Sequence, residues 1–199
     1  MKKMGEPARK LDRRYTYGDY RKWPEEERWE LIDGVAWNMS PAPGRYHQSI
    51  SMELLRQIAN HLEGKNCSVY HAPFDVLLPD TPGQEEDDVP TVVQPDISVI
   101  CDKTKLTEKG CTGPPEWLVE ILSPYTSRKD MAVKFELYQR YGVQEYWIVD
   151  PGNAFVHVYL LDDSGHYPED PVIYLKEDTV PCTVLKGLTI ELDRVFAFD

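Results

Sequence analysis

From Trp117 to Leu122 every residue but one is apolar, and the exception, Glu120, carries a charge. Trp, Leu, Val and Ile in a short run read as a strand. A carboxylate inside such a run is costly to bury unless a partner neutralises it. A second apolar stretch, Ile97 to Ile100, opens directly after Pro95 and Asp96. Two strands, each with an acid at or inside it, therefore have to find room for charge beside a core.

The rest of the chain supplies helices to cover them. Thr16 is placed as the N-cap of a short helix that puts Tyr17, Tyr20 and Trp23 on one side, ended by Pro24 and Glu25-Glu26-Glu27. Asp33-Gly34 between Arg28–Ile32 and Val35–Met39 is a hairpin signal. Between Tyr46 and Leu62, residues Ile50, Leu54, Leu55, Ile58 and Leu62 recur at helical spacing, with Gly64 as the stop. Val69 to Leu78 is expected to be one strand and Asp80 to Pro90, with five acids and no base, a solvated loop. Ser127 to Tyr141 is expected to be a helix ended by Gly142, followed by a strand at Glu145–Val149, a turn at Asp150–Asn153 and an antiparallel return over Phe155–Leu160. This order predicts an α+β (α/β-like) fold, a mixed sheet flanked by helices. Residues 1–14 read as a loose tail and 15–199 as a single domain.

Composition narrows the function classes. With 41% hydrophobic and 28% charged residues the chain is of globular type. No apolar run approaches the roughly 20 residues of a membrane span. The two lysines near Met1 are not followed by an apolar stretch, so no secretory signal is expected and a cytoplasmic setting is. Cys67, Cys101, Cys111 and Cys182 are scattered without a CxxC, which predicts reduced thiols. His61, Cys67 and His71 read as ordinary helix-end and strand residues, since no fourth zinc ligand follows at a recognisable spacing. A net charge of -12 weighs against unassisted nucleic-acid binding, although a divalent cation screens phosphate locally.

The acids nonetheless suit one chemistry. Phosphodiester hydrolysis uses a held divalent cation to activate water and to stabilise charge on phosphate oxygens. Magnesium is held through a few carboxylates while it keeps several waters. Asp96 and Glu120 are the candidate metal ligands, with the carbonyl of Ile121 as a further oxygen. Lys134 is the candidate cation for orienting water or stabilising developing charge. Asp130, Lys134 and Tyr138 are spaced by four and share a helix face. An exposed Asp–Lys pair over a tyrosine gives the same spacing, and a buried Lys134–Glu120 ion pair would satisfy Glu120 without catalysis.

Five ordered blocks carry a resemblance: Trp29–Gly34, Gln94–Ile97, Pro115–Pro124, Asp130–Lys134 with Tyr138, and Gly142–Pro151. Together with the helix beginning near His47, they make residues 15 to 195 similar to the putative restriction endonuclease family of the PD-(D/E)XK nuclease superfamily. The resemblance implies a restriction-endonuclease-like core. In it Asp96 and Glu120 bind Mg²⁺ or Mn²⁺ and Glu30 completes the acidic group; His47 either joins them or is an ordinary helix-surface histidine. The superfamily lysine usually lies two residues after the second acid; here that position is Leu122, and Lys134 from the following helix stands in for it. The function this implies is that of a metal-dependent DNA endonuclease acting as a homodimer. Two alternatives share the residues: an RNA-directed nuclease, or a non-catalytic interaction protein on the same scaffold, for which 12 tyrosines and 5 tryptophans offer contact surface.

Overall fold

The computed structural model describes residues 13–24, 28–39, 43–123 and 129–197, the last from backbone alone at 129–130. Most of the expected tail, the Glu25–Glu27 stop, the helix start at Ser127 and the side chain of Asp130 lie outside the described residues. The strands are β1 (Trp29–Ile32), β2 (Val35–Asn38), β3 (Ser68–His71), β4 (Asp75–Leu77), β5 (Val92–Val93), β6 (Ile97–Ile100), β7 (Gly110–Thr112), β8 (Trp117–Ile121), β9 (Glu145–Asp150), β10 (Phe155–Leu160), β11 (Val172–Leu175), β12 (Thr179–Pro181) and β13 (Thr189–Glu191). The helices are α1 (Tyr17–Tyr20), α2 (Arg45–Leu62), α3 (Phe135–Tyr141) and α4 (Leu192–Val195).

The fold is α+β, but its strands form two main sheets rather than one. The central sheet has the order β11-β10-β9-β8-β6-β3 and is antiparallel except where β8 runs parallel to β9. A second sheet has the order β2-β1-β5-β4-β7, and β12 and β13 form a separate ribbon. The division falls where a single strand was expected. Val69 to Leu78 splits into β3, at the edge of the central sheet, and β4, inside the second. Pro73, with no N–H to donate, sits in the break and follows a cis peptide bond.

Strand β8 shows why its sequence does not alternate. Trp117, Val119 and Ile121 enter a core with Ile50, Leu54, Ile58 and Leu62 of α2, while Leu118 enters another with Tyr138 of α3 and Tyr146 of β9. Both faces are covered, so both are apolar, as expected of a strand buried on each side. Trp117 and Trp147 meet with ring centroids 4.7 Å apart between the strands. The Asp33-Gly34 hairpin forms as its sequence predicts, both residues taking positive φ, 51° and 74°.

Two expectations are corrected. The helix over Ser127–Tyr141 is not uniform: Lys129–Lys134 forms a wide π-helical turn, and regular α3 begins only at Phe135. The thiols are not all reduced, because Cys67 and Cys101 form a disulfide. They flank the Ser68–Ile100 pair of β3 and β6 and so face each other across two neighbouring strands. That proximity is a product of strand pairing, which spacing along the chain does not reveal. Cys111 and Cys182 are free and buried.

Candidate functional site

The site forms where the two sheets abut, at the ends of β6 and β8. Glu120 belongs to β8 on the side facing α3, and only 3% of it is exposed. Its Oε1 accepts from the ammonium of Lys134 at 2.6 Å and from the hydroxyl of Tyr138 at 2.7 Å. The same ammonium lies 2.9 Å from Oε1 of Glu30, which β1 delivers from the second sheet. Glu30 is fully buried and Lys134 is 2% exposed. Three residues 90 and 14 positions apart along the chain thus meet through one nitrogen. The π-helical turn ends at Lys134 and leads straight into the α-helical turn that carries Tyr138, so both reach Glu120.

Asp96 occupies the neighbouring strand end. The register that pairs Ile97 with Val119 continues one step to set Asp96 across from Glu120. Oδ2 of Asp96 accepts the amide N–H of Ile121 at 2.7 Å and lies 3.2 Å from Nε2 of His47, in the first turn of α2. The Ile121 backbone thus contributes its N–H to the site. Asp96 keeps 21% of its side chain exposed, and this is where the site opens toward solvent.

A third carboxylate was missed by sequence reasoning. Asp75, the first residue of β4, accepts from the Gln94 side-chain amide at 2.8 Å and the Tyr20 hydroxyl at 3.3 Å. Burial raises its pKa, against the lowering effect of those two bonds. The backbone N–H of Gln94 in turn donates to Oε1 of Glu30 at 3.0 Å. One residue therefore ties Asp75 and Tyr20 to the Glu30–Lys134 pair, immediately before Pro95-Asp96. An Asp heading an apolar run was a faint signal; its nearness to Glu30 depends on the sheet order β1-β5-β4.

Charge makes the arrangement unusual for a core. Among the described residues, one ammonium serves two buried carboxylates, and a third carboxylate stands opposite one of them. Buried charge is tolerated when paired and hydrogen-bonded, and an excess of one sign favours recruitment of the other. The donor chemistry suits a hard cation, since Asp96 and Glu120 are carboxylates at facing positions of adjacent strands and magnesium needs only one or two carboxylates beside water. Among the described residues no group of three His, Cys, Asp or Glu side chains is arranged to hold a metal. His61, Cys67 and His71 form no such group either: Cys67 is in the disulfide, and His71 hydrogen-bonds through Nδ1 to the carbonyl of Ala72.

Comparison with known proteins places the chain. An uncharacterized protein of Synechocystis sp. (strain ATCC 27184 / PCC 6803 / Kazusa) is 28% identical over 152 residues, which is 75% of each chain. A crystal structure from Anabaena variabilis, described as a putative nuclease belonging to DUF820, superimposes with a TM-score of 0.71 at 22% identity, covering 92% of this chain and 97% of that one; it attests the fold. Residues 17–193 match a family described as "Putative restriction endonuclease", a span that takes in every residue of the site. The chain belongs to this family, Uma2, and its membership supports a nuclease.

Proposed function

We propose that the protein is a metal-dependent endonuclease of the PD-(D/E)XK type that hydrolyses phosphodiester bonds in DNA. The observation that carries this reading is the Lys134 ammonium, fixed 2.6 Å from Glu120 and 2.9 Å from Glu30 beside the strand end of Asp96. Asp96 and Glu120 would hold Mg²⁺ or Mn²⁺, which when bound supplies Lewis-acid stabilisation of phosphate charge. The chain's own residues do the rest. Lys134 presents at Nζ a fixed hydrogen-bond donor that would orient the attacking water or stabilise negative charge developing on phosphate. Glu30, braced by the Gln94 amide, and Tyr138, through Glu120, keep that ammonium in place. His47 and the Ile121 amide hold the Asp96 carboxylate in one orientation. Action on two strands fits a pair of such sites in a homodimer, and an RNA substrate would use the same residues.

Cleavage of supercoiled plasmid and of single-stranded DNA with Mg²⁺ or Mn²⁺ tests the assignment. Asp96→Asn keeps an acceptor for the Ile121 amide but loses the charge, and should lower the rate by about 100-fold or more. Equal rates for this variant and the parent would remove Asp96 from the reaction. A rival reading, a non-catalytic scaffold, draws on the way Lys134 pairs with both glutamates. It requires that calorimetric titration with Mg²⁺ give no saturable binding that depends on Asp96.

A further inference from the structure

The two half-buried cysteines of the central sheet stand at one end of a ladder whose other end holds Asp96. Ala72 N–H donates to the Asp96 carbonyl at 3.1 Å, and the same register runs back through Tyr70–Ser98 and Ser68–Ile100 to Cys67 and Cys101. Hydrogen-bonded and non-hydrogen-bonded pairs alternate along an antiparallel ladder. Because position 72 is hydrogen-bonded to position 96, the Cys67–Cys101 pair falls on a non-hydrogen-bonded site, where facing residues come closest; their Cα atoms are 3.9 Å apart. Strand β3 is the edge of the sheet and has β6 as its only strand neighbour among the described residues. The disulfide is thus the covalent tie on a strand that has one neighbouring ladder and packs its Val69 against the core beneath α2.

We propose that Cys67 and Cys101 form a reversible redox clip, and that its opening loosens the edge strand which steadies the backbone of Asp96. Its link to activity rests on the functional reading above, whereas the clip itself does not. Closure oxidises two thiols to one disulfide and passes two electrons and two protons to glutathione disulfide. The Cys67 or Cys101 thiolate first forms a mixed disulfide and releases one glutathione; the second thiolate then displaces the other. Both cysteines are partly accessible. The remaining pair is not suited to this exchange: Cys111 and Cys182 are buried, and desolvation pushes the Cys111 thiol up to about 12 and raises Cys182 still further.

The test uses the full chain and needs no nuclease activity. Hydrogen–deuterium exchange, read at the amides of Ser68, Tyr70 and Ala72, the positions whose N–H groups face β6, is compared between protein as oxidised by glutathione disulfide and protein reduced with a phosphine. Reduction should speed exchange there by about tenfold or more, and return to glutathione disulfide should restore protection while mass spectrometry shows an intrachain disulfide. The Cys101→Ser variant should exchange like reduced parent in both conditions. Exchange that is unchanged by reduction, glutathione adducts that persist in place of the intrachain bond, or a bond that resists reductant while the protein stays folded would each overturn the clip. Plasmid cleavage in the two states separates the readings: exchange that responds while no state cleaves DNA defeats the nuclease assignment and leaves the clip standing. Cleavage without any redox response in exchange does the reverse.

Discussion

At the scale of residues, the ammonium of Lys134 does two kinds of service, and removing it should expose both. Lys134→Met would leave Glu30 and Glu120 buried beside each other without their cation. Loss of one partner from a buried ionic group costs about 3–5 kcal/mol, which urea denaturation would read as a lower midpoint. Acidification neutralises the stranded carboxylates, so the deficit should narrow as pH falls from about 8 to about 5. A deficit that stays constant across this range would mean that lost packing, not stranded charge, is the cause. Tyr138→Phe is the milder counterpart. It keeps the edge-to-face contact with Tyr146, at 5.0 Å, and removes only the hydroxyl bonded to Glu120. A loss of about 1.5–3 kcal/mol is expected, the range for a hydrogen bond to a charged group.

At the scale of elements, the second sheet acts as a holder for Glu30 and Asp75, and one glycine governs how closely it can be built. Strand β7 runs parallel to β4 with Gly110 beside Asp75. A Cβ at position 110 would fall 1.8 Å from the Asp75 carbonyl oxygen, a backbone atom that no rotamer change can move aside. Gly110→Ala should therefore push β7 off β4, at about 1–3 kcal/mol in a thermal melt, and disturb the Asp75–Gln94–Tyr20 group more than the central sheet. Gly34 makes a different demand. It has positive φ in the hairpin turn, and an added Cβ would meet Arg14 Cβ at 2.8 Å. The turn and its register were readable from Asp-Gly between apolar runs, because turn chemistry is local. The closeness of Gly110 to Asp75 was not, since it joins residues 35 positions apart.

At the scale of the whole molecule, a carboxylate remote from the site sets part of the response to pH. Glu145, at the start of β9, is fully buried and accepts from Trp147 Nε1 and from the amides of Thr183 and Val184. Burial is the largest influence on it and raises its pKa in spite of those donors. The folded state thus holds the Glu145 proton more tightly than the unfolded chain does. Stability from this source is complete below the ordinary carboxylate value of 4.5 and is lost as pH rises through the higher folded-state value. Glu145→Gln should flatten that part of the stability profile measured by denaturant titration between about pH 4 and pH 7. A variant profile parallel to the parent's would assign the slope to other groups, Asp75 among them, whose pKa is raised by burial in the same way.

The sequence by itself determined the elements and the chemistry on offer. Helix α2, the hairpin, strands β6 and β8, and the embedded acids Asp96 and Glu120 come from periodicity, turn residues and the cost of burying charge, all of which act over a few neighbouring positions. Lys134 was legible from its four-residue spacing to Asp130 and Tyr138, whereas Glu30 came only through the resemblance of ordered blocks. Tertiary structure alone decided that one ammonium joins both glutamates, that Gln94 links them to Asp75 and Tyr20, and that Cys67 meets Cys101. Those contacts depend on strand order, on the division at Pro73 and on the π-helical turn before α3. Each is settled by how distant segments pack, a competition between burial and chain entropy that no short stretch of residues records.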